Sequence, residues 1–453
     1  MYYYLSVLWP IAFYMVFFVL FFSTTNPDLL VSQFDHALFY SKFLWFTGAI
    51  VALTNLIGLL MFGSPRRKDI SAQSRLASVG GWSPAKRLIV TYVSRGDNFK
   101  ALDRSIKESG KVLAAHDVDY RIDVITDMPV EGKIVAQFNT HFHVTPSDYV
   151  TTQETKYKAR ALHYMVEQRQ SASHHSQEHQ DVWVLHLDEE SVVTPSLITG
   201  IHEFITNPAN QRVIGQGEIQ YNAYKYGSNW FTVAADAIRT GDDLGRFRFQ
   251  YKLFKKPVFG MHGSFVLVSQ AIEREIGFDL LPKQSITEDA YFAFKAADRG
   301  IAFNWVEGAV REQSPFSVKE IILQRRRWFC GLWYLAFDTE ISLKTRGMLM
   351  LNMLLWLFAW AGPIVAVVNL LAGPSYFPFW ATVAAAVLQG AYVGIYMVGA
   401  YRNLIGAHVS WYKKLWLYML TFILVPIVNL IEGVAVLYAI VKPVSGFHVV
   451  KKN

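Results

Sequence analysis

Five long apolar stretches constrain the fold of this chain more than any other feature of its sequence. Residues 4–22 and 44–63 contain no Asp, Glu, Lys or Arg, and three more apolar stretches follow at residues 348–373, 379–400 and 415–441. About 20 consecutive apolar residues are enough for a helix to cross a bilayer. Helices buried in a soluble core are the alternative, but five such stretches favour membrane-spanning helices. The first stretch lacks a basic start and a small-residue cleavage site, so it is expected to be a retained anchor.

The charges beside these stretches predict which side of the membrane holds the polar middle of the chain. The basic segment 64–69 directly follows the second stretch, whereas residues 23–37 contain Asp28 and Asp35 but no Lys or Arg. Because basic loops stay in the cytosol, we expect a multi-pass integral membrane protein whose polar domain is cytosolic. The single cysteine, Cys330, suits a reducing compartment. The net charge of +7 is attributed to basic residues that attract anionic lipid, so the expected partner is the bilayer and not nucleic acid.

The polar middle of the chain alternates strand-like and helix-like segments. Residues 87–97, 120–127 and 181–190 begin with apolar runs and end in polar residues, and residues 158–170 are helix-like. Strands that alternate with helices predict a mainly parallel sheet, and ligands of such sheets bind beyond the carboxyl ends of the strands. Several polar side chains are expected at that edge: Arg95, Asp97, Asp127, Asp188, Glu189 and Glu190.

A cluster of three acids ends the third of these strands. Asp188 and Glu190, at i and i+2, can point the same way and bind a divalent cation, and their oxygen ligands favour Mg²⁺ or Mn²⁺. An acidic surface turn is the alternative. The histidine-containing segment 171–180 is a second metal-binding candidate, which we interpret as a solvated loop.

Two helix starts are predicted further along the chain. Ser285 and Glu288 have the spacing of a capping box, with Gly300 as the stop, and Ser317 and Glu320 repeat that spacing. In the first helix, acids of the first turn could serve only to favour the helix dipole.

The second predicted helix carries Gln324, Arg327 and Trp328 on one face, at i, i+3 and i+4. Arg offers two parallel hydrogen bonds to a phosphate, and Trp offers a flat stacking surface for a sugar. A basic amphipathic helix on lipid headgroups is the alternative, and we expect the helix to serve both purposes.

These motifs together resemble the membrane-bound, inverting glycosyltransferases of family two. An acidic cluster, T-E-D at 287–289 and Q-x-x-R-W at 324–328 occur in that order between membrane spans. Residues 85–335 further resemble the egghead-type β-1,4-mannosyltransferases of invertebrate glycosphingolipid synthesis. The resemblance implies a Rossmann-like α/β glycosyltransferase-A domain, cytosolic and inserted between transmembrane α-helices, with interfacial amphipathic helices.

The resemblance and the hydropathy divide the chain into five regions. These are two transmembrane helices (1–63), the glycosyltransferase domain (64–312), interfacial helices with Q-x-x-R-W (313–345), a C-terminal transmembrane region (346–442) and a cytosolic tail (443–453). Residues 446–452 faintly resemble the gating segment of the synthases. Pro426, Asn429 and Glu432 interrupt the last apolar stretch, so a re-entrant segment or a tight hairpin is expected there as an alternative to a span.

The resemblance also implies roles for individual residues. Asp289 matches the general base, and Asp188 and Glu190 match the metal site, although the family usually has Asp where this chain has Glu190. Nucleotide-sugar binding is implied for Val93, Arg95, Asp97, Asp127, Lys158, Arg160, Asp188, Gln324 and Arg327. Acceptor binding is implied for His262, Gly263, Ser264, Glu288 and Trp328. Because a helix N-terminus lowers the pKa of a carboxyl group, Asp289 is expected to be ionised at neutral pH.

The implied reaction transfers one sugar with inversion. Mannose from GDP-mannose is the expected donor group, with a UDP-sugar as the alternative, the acceptor is a membrane lipid such as a glucosyl lipid, and the cofactor is Mn²⁺ or Mg²⁺. A processive polysaccharide synthase of the cellulose or hyaluronan type is the alternative enzyme. A scaffold or transporter is the non-enzymatic alternative, but neither would require the acids at 188–190 and 289.

Overall fold

The computed structural model describes residues 2–22, 26, 28, 32–64, 82, 86–130, 134, 138–173, 181–224, 229–373 and 375–444. Three segments singled out in the sequence lie outside the described residues, wholly or nearly so. They are the basic residues of 64–69, the histidines of 171–180 and the gating-like segment 446–452.

Three helices precede the sheet. They are α1 (Tyr2–Phe22), α2 (Gln33–Lys42) and α3 (Ala49–Phe62), and a 3₁₀ turn at Phe43–Phe46 joins the last two. The α2 helix starts with a complete capping box, because the Ser32 side chain accepts a hydrogen bond from the Asp35 amide and the Asp35 side chain accepts one from the Ser32 amide.

One eight-stranded sheet forms the centre of the polar domain. Its strands are β1 (Lys86–Ser94), β2 (Tyr120–Thr126), β3 (Thr140–Val144), β4 (Asp181–Asp188), β5 (Val192–Val193), β6 (Val213–Gln220), β7 (Val266–Ser269) and β8 (Ala302–Arg311). They lie in the order β3-β2-β1-β4-β7-β6-β8-β5. Strands β1 to β4 pair in parallel, and β6 is parallel to β8. Only β7 and β5 pair antiparallel with their neighbours, so the predicted mainly parallel sheet and its three predicted strands are confirmed.

Helices cover both faces of the sheet because the side chains of each strand alternate between two cores. On β1, Leu88 and Val90 pack in one core with Ile106, whereas Ile89 packs in the other with Met165. The helices of this domain are α4 (Phe99–Ala115), α5 (Tyr157–Ser173), α6 (Pro195–Thr206), α7 (Trp230–Asp242), α8 (Gln270–Ile276), α9 (Glu288–Asp298) and α10 (Val318–Ala336).

The α7 helix continues through two π-helical turns, Asp243–Phe247 and Gln250–Phe254. Such turns place an extra residue in a helix and frequently occur at functional sites. Here the first turn brings Asp243 beside the loop at His262.

The chain then enters its C-terminal helices. They are α11 (Leu343–Leu357), α12 (Ala361–Ala372), α13 (Phe379–Ile405) and α14 (Trp411–Val441). The α14 helix is continuous and contains Pro426. The expected hairpin or re-entrant alternative is therefore wrong, because an apolar helix can continue through a proline when its neighbours satisfy the freed backbone group.

Within the described residues, five helical segments have the length and apolar composition needed to cross a membrane. They are Tyr2–Phe22, Gln33–Phe62, Leu343–Ala372, Phe379–Ile405 and Trp411–Val441. These segments correspond to the five apolar stretches of the sequence and associate the protein with membranes.

Glycines bring the polar domain into close contact with these apolar helices. A side chain on Gly399 of α13 would collide with the Ala237 carbonyl of α7, and one on Gly241 of α7 would collide with the Ile395 carbonyl of α13. Small residues let two helix backbones approach in this way. The α7 helix is therefore packed directly on α13.

Candidate active site

One cavity of about 720 Å³ connects the carboxyl ends of the parallel strands with the apolar helices. At the strand ends it is lined by Val93, Arg95, Asp127, Asp188 and Glu190. Its middle is lined by Lys158, His262, Gly263, Ser264, Glu288, Asp289, Gln324, Arg327 and Trp328. Its far end is lined by residues of the apolar helices, among them Val51, Met353, Trp356, Leu388 and Tyr392. Fourteen of the sixteen predicted site residues thus line one cavity, and the two others are Asp97 and Arg160.

The three acids after β4 have different surroundings. Glu189 is buried, and its carboxylate accepts hydrogen bonds from the Ser94 hydroxyl and, at 2.8 Å, from the Asn98 amide. Asp188 and Glu190 also line the cavity. No group of three or more His, Cys, Asp or Glu side chains gathers as a metal site among the described residues. A cation here would therefore take two protein carboxylates and the rest of its ligands from elsewhere.

Lys158 joins three of the predicted motifs. Its ammonium group lies 2.6 Å from Asp188 Oδ1 and 3.6 Å from Glu288 Oε1, and it donates a hydrogen bond of 3.1 Å to the Gly263 carbonyl. Burial lowers the pKa of Lys158, but Asp188 and Glu288 outweigh burial and raise it overall. Lys158 is therefore a fixed positive charge between the acids of β4 and those of α9.

Arg160 and Asp97 lie just outside the cavity lining. Arg160 donates to Asp127 at 2.9 Å and to the Tyr149 carbonyl at 3.3 Å, so it holds Asp127 in place. Asp97 lies 3.7 Å from Arg95, and both side chains are exposed.

The His262 loop is held by the π-helical turn of the long helix. His262 Nε2 lies 2.6 Å from Asp243 Oδ1, and the imidazole stacks on Phe247 with ring centres 4.6 Å apart. A side chain on Gly263 would come within 2.9 Å of Asp289 Oδ2. Glycine at this position therefore leaves space beside the Asp289 carboxylate.

The helix that carries Asp289 begins later than predicted. A 3₁₀ turn occupies Gln284–Thr287, and α9 starts at Glu288. Ser285 does not cap this helix, because its hydroxyl donates to the Leu281 carbonyl at 3.0 Å and accepts from the Lys156 amide at 3.2 Å. The predicted capping box of Ser285 and Glu288 is therefore wrong.

The ionisation of the two acids of α9 also differs from the expectation. Burial raises the pKa of Glu288 to about 7, and Lys158 only partly opposes this effect. Burial likewise raises the pKa of Asp289. The expected lowering by the helix N-terminus is wrong in direction, because removal of the carboxylate from water outweighs the dipole.

The α10 helix closes the middle of the cavity. The Ser317 side chain caps it by accepting a hydrogen bond of 3.2 Å from the Glu320 amide. Arg327 donates to the Ile286 carbonyl at 3.3 Å, and Gly331 packs directly on the Thr287 side chain. Gln324, Arg327 and Trp328 therefore face the cavity together, as their spacing predicts.

A buried ion network beside this face was not predicted. Arg325 lies 2.9 Å from Asp236 and 2.8 Å from Glu432, which belong to α7 and α14. Glu432 is the one charged residue of its apolar stretch, and an ionisable residue in such a stretch is a functional signal in itself. The spacing of the motif identified Arg327 as facing the site, but it indicated no partner for the neighbouring Arg325.

The chain is similar to one family model and to several known proteins. The glycosyl transferase family group 2 model matches residues 183–441. The beta-1,4-mannosyltransferase egh of Drosophila melanogaster is 28% identical over 438 residues, which are 95% of this chain and 91% of that protein. The beta-1,4-mannosyltransferase bre-3 of Caenorhabditis briggsae is 30% identical over 418 residues, which are 90% of this chain and 87% of that protein.

Two solved structures are also similar. The mannosyltransferase PcManGT from Pyrobaculum calidifontis, in complex with GDP-Man and Mn²⁺, has 13% identity and a TM-score of 0.39, and the alignment covers 80% of this chain and 99% of that chain. S. aureus TarS has 10% identity and a TM-score of 0.32, and the alignment covers 63% of this chain and 54% of that chain.

The family match and the long alignments agree with the geometry of the cavity. The mainly parallel sheet with helices on both faces, flanked by apolar helices, is a glycosyltransferase-A-type fold. This chain belongs to glycosyl transferase family group 2 and is a relative of the egghead-type β-1,4-mannosyltransferases.

Proposed function

We propose that this protein is a membrane-integrated, inverting glycosyltransferase that moves mannose from GDP-mannose, in β-1,4 linkage, to a membrane glycolipid. One observation carries the proposal: a single cavity extends from the strand ends, past the adjacent carboxyl groups of Glu288 and Asp289, to the apolar helices. A water-soluble donor and a lipid acceptor would enter such a cavity from opposite ends. The names of the aligned relatives support mannose as the transferred sugar.

The donor would bind at the strand ends. Val93, Arg95 and Asp127 would contact the base and ribose, and Lys158 and Arg327 would flank the diphosphate. The Arg327 guanidinium is a planar fork that matches phosphate oxygens, and it would stabilise the negative charge that develops on the leaving group. Gln324 would complete this end of the donor site.

Asp289 would act as the general base of a single displacement. The acceptor oxygen attacks the anomeric carbon from the face opposite the diphosphate, and its proton moves to the Asp289 carboxylate. The bond from the anomeric carbon to the diphosphate oxygen breaks, and its electron pair leaves with the diphosphate. Because one step inverts the configuration once, one carboxylate is sufficient.

Asp188 and Glu190 have the chemistry of a site for Mn²⁺ or Mg²⁺. Both are oxygen donors and line the cavity at the strand ends, and hard cations of this kind commonly combine one or two carboxylates with substrate phosphates. When bound, the cation would neutralise diphosphate charge. We expect Asp188→Asn to weaken Mn²⁺ binding measured by calorimetry in the presence of GDP, and a chelator to abolish transfer. Full turnover in chelator would contradict the metal requirement.

The acceptor would lie between the strand ends and the apolar helices. His262, Gly263, Ser264 and Trp328 would contact its sugar, with Glu288 beside the base. The apolar end of the cavity would hold lipid chains, because burial of apolar surface there is favourable. We propose a multi-pass arrangement with the catalytic domain in the cytosol, where nucleotide sugars are available.

A donor and acceptor panel tests the proposed function. The purified protein would be given radiolabelled GDP-mannose or UDP-sugars with a glucosyl lipid in mixed micelles. We expect GDP-mannose to give a product one hexose larger than the acceptor. Long products would instead indicate a processive synthase, and neither transfer nor donor hydrolysis with any nucleotide sugar would refute an enzymatic function.

A further inference from the structure

The cluster of Asp236, Arg325 and Glu432, here called the Arg325 cluster, joins three elements beside the proposed acceptor site. Arg325 belongs to α10, Asp236 to α7 and Glu432 to α14. The Arg325 and Asp236 side chains are 3% and 0% exposed, so the ion pair is shielded from water. Its contacts therefore fix the three helices relative to one another more strongly than a surface ion pair would.

Every nitrogen of the Arg325 guanidinium has an acceptor. Nη2 donates to Asp236 at 2.9 Å, Nε donates to Glu432 at 2.8 Å, and Nη1 donates to Gln324 Oε1 at 2.8 Å. A lysine ammonium cannot reach three separate acceptors with this planar geometry. The third bond orients a side chain that lines the cavity.

The same guanidinium contacts the indole of Trp328. Its central carbon lies 4.4 Å from the centre of that ring, and the guanidinium of Arg239 lies 4.7 Å from it. Cations within about 6 Å of an aromatic ring attract it electrostatically. Arg325, which itself lines the cavity, thus contacts both Gln324 and Trp328.

The membrane side of the cluster reaches the apolar end of the cavity. Glu432 also accepts a hydrogen bond of 3.1 Å from Trp356 Nε1 of α11, and Glu432 and Trp356 both line the cavity. A lipid bound at this end would contact the residues that hold Arg325.

We infer that the Arg325 cluster is a positioning device for the proposed transfer: it holds Trp328 of the proposed acceptor site and Gln324 of the proposed donor site in the orientation that transfer requires, and it ties that orientation to α14. The inference rests on the proposed function for its substrates. In this proposal Arg325 acts through the two side chains that it contacts and not directly on the reacting atoms.

Kinetic constants of two single variants test this role. We expect Arg325→Lys and Glu432→Gln to lower kcat and to raise the KM for the lipid acceptor, with a loss of transfer on the order of 10²-fold because small misplacements of binding groups are that costly. The Kd for GDP-mannose should change less than the KM for the acceptor, because Gln324 is only one of the proposed donor contacts. The matched control is Arg326→Lys, because Arg326 donates to the Lys442 carbonyl and does not line the cavity. Parent kinetics in both test variants would overturn the inference.

A neutral triple variant separates positioning from stability. Asp236→Asn, Arg325→Met and Glu432→Gln together remove all three charges, and such replacement of a buried ion network often preserves folding. We expect this variant to melt near the parent temperature and to remain poor in transfer. Recovery of parent transfer would overturn the inference, because the cluster would then serve only to stabilise the fold.

Fluorescence gives a readout that does not depend on the identity of the sugar. The difference in emission between a protein and its Trp328→Phe counterpart reports the surroundings of that indole. We expect this difference spectrum to change in Arg325→Lys and not in Arg326→Lys. A changed spectrum would support the cluster even if the donor panel excluded mannose, and an unchanged spectrum would contradict it.

Discussion

Two adjacent acids, Glu288 and Asp289, lie beside Lys158, and we propose that only one of them accepts the proton. Asp289 occupies the space left open by Gly263, whereas Glu288 is 4% exposed and lies 3.6 Å from the Lys158 ammonium. We therefore assign proton transfer to Asp289 and a supporting role to Glu288.

Asp289→Asn should abolish transfer while leaving donor affinity nearly unchanged. The amide keeps the shape of the side chain but cannot accept the proton, and the loss of a positioned base typically costs roughly 10²–10⁴-fold in rate. Radiolabelled transfer would give the rate, and calorimetry with GDP-mannose would give the affinity. Glu288→Gln should lose less activity. An Asp289→Asn protein that binds donor and transfers at close to the parent rate would contradict the assignment.

The raised pKa values predict an acid limb in the pH dependence of activity. The base must be deprotonated, and burial raises the pKa of Glu288 to about 7 and also raises that of Asp289. Activity should therefore be lost as the pH falls through the raised pKa of Asp289, above the range usual for an aspartate. Glu288→Gln removes a neighbouring negative charge, so it should move the limb to lower pH.

A profile of kcat/KM against pH would measure this limb in the free enzyme. Glu275→Gln is a matched control, because Glu275 pairs with Arg212 on the surface. A limb that stays in place in Glu288→Gln would show that the two acids of α9 titrate independently.

The sequence predicted which residues line this cavity far better than it predicted their ionisation. Asp188 was predicted from its position at a strand end, because parallel strands end at one edge of the sheet. Asp289 was predicted from the T-E-D motif. Burial by distant segments decides the pKa of Asp289, and no local pattern reports it. The Ser285 hydroxyl similarly bonds to Leu281 and Lys156, and the latter contact spans 129 positions, so its apparent capping role could not be excluded from the sequence.

At the level of elements, α10 meets the turn before α9 at a contact that only glycine permits. An added Cβ at Gly331 would collide with Thr287 Cγ2 and would lie 2.7 Å from Thr287 Oγ1 and 3.1 Å from Thr287 Cβ. This contact fixes the distance between the helix that carries Arg327 and the turn that precedes Asp289.

Gly331→Ala should lower transfer, because the added methyl pushes the two elements apart. Thr287→Ala removes the two nearest atoms and leaves only the Cβ contact at 3.1 Å. The double variant should therefore recover much of the activity that Gly331→Ala loses. Its activity is compared with that of Thr287→Ala alone. Transfer assays on all four proteins form a double-mutant cycle. Strictly additive losses would show that the two residues do not interact.

At the level of the whole molecule, the long helix that begins at Trp230 connects the catalytic domain to the apolar helices. Its Gly241 and Ala237 contact α13, and Asn55 of α3 donates to Asp242 at 2.8 Å. The sequence did not predict these contacts between distant parts of the chain. For example, Arg325 and Glu432 are separated by 107 positions, and no local sequence pattern indicates that they form an ion pair.

Gly399→Ala should destabilise the whole protein. Its added methyl would overlap the Ala237 carbonyl, and overpacking of a well-packed contact typically costs about 1–3 kcal/mol. The temperature of half-inactivation in one detergent would measure the effect. Gly347→Ala is the matched control, because an added Cβ there meets nothing within 4 Å. Equal inactivation temperatures for the two variants would contradict direct packing of α7 on α13.

The apolar end of the cavity determines how the concentration of the proposed lipid acceptor is expressed. A lipid that reaches Trp356 and Leu388 from the bilayer never becomes a freely dissolved species, so its effective concentration is its mole fraction in the membrane. Adding inert lipid or detergent at constant total acceptor should slow transfer by surface dilution, while the dependence on the water-soluble donor stays molar. Acceptors with truncated chains should escape this dilution and lose the affinity that burial of each methylene provides, about 0.8 kcal/mol.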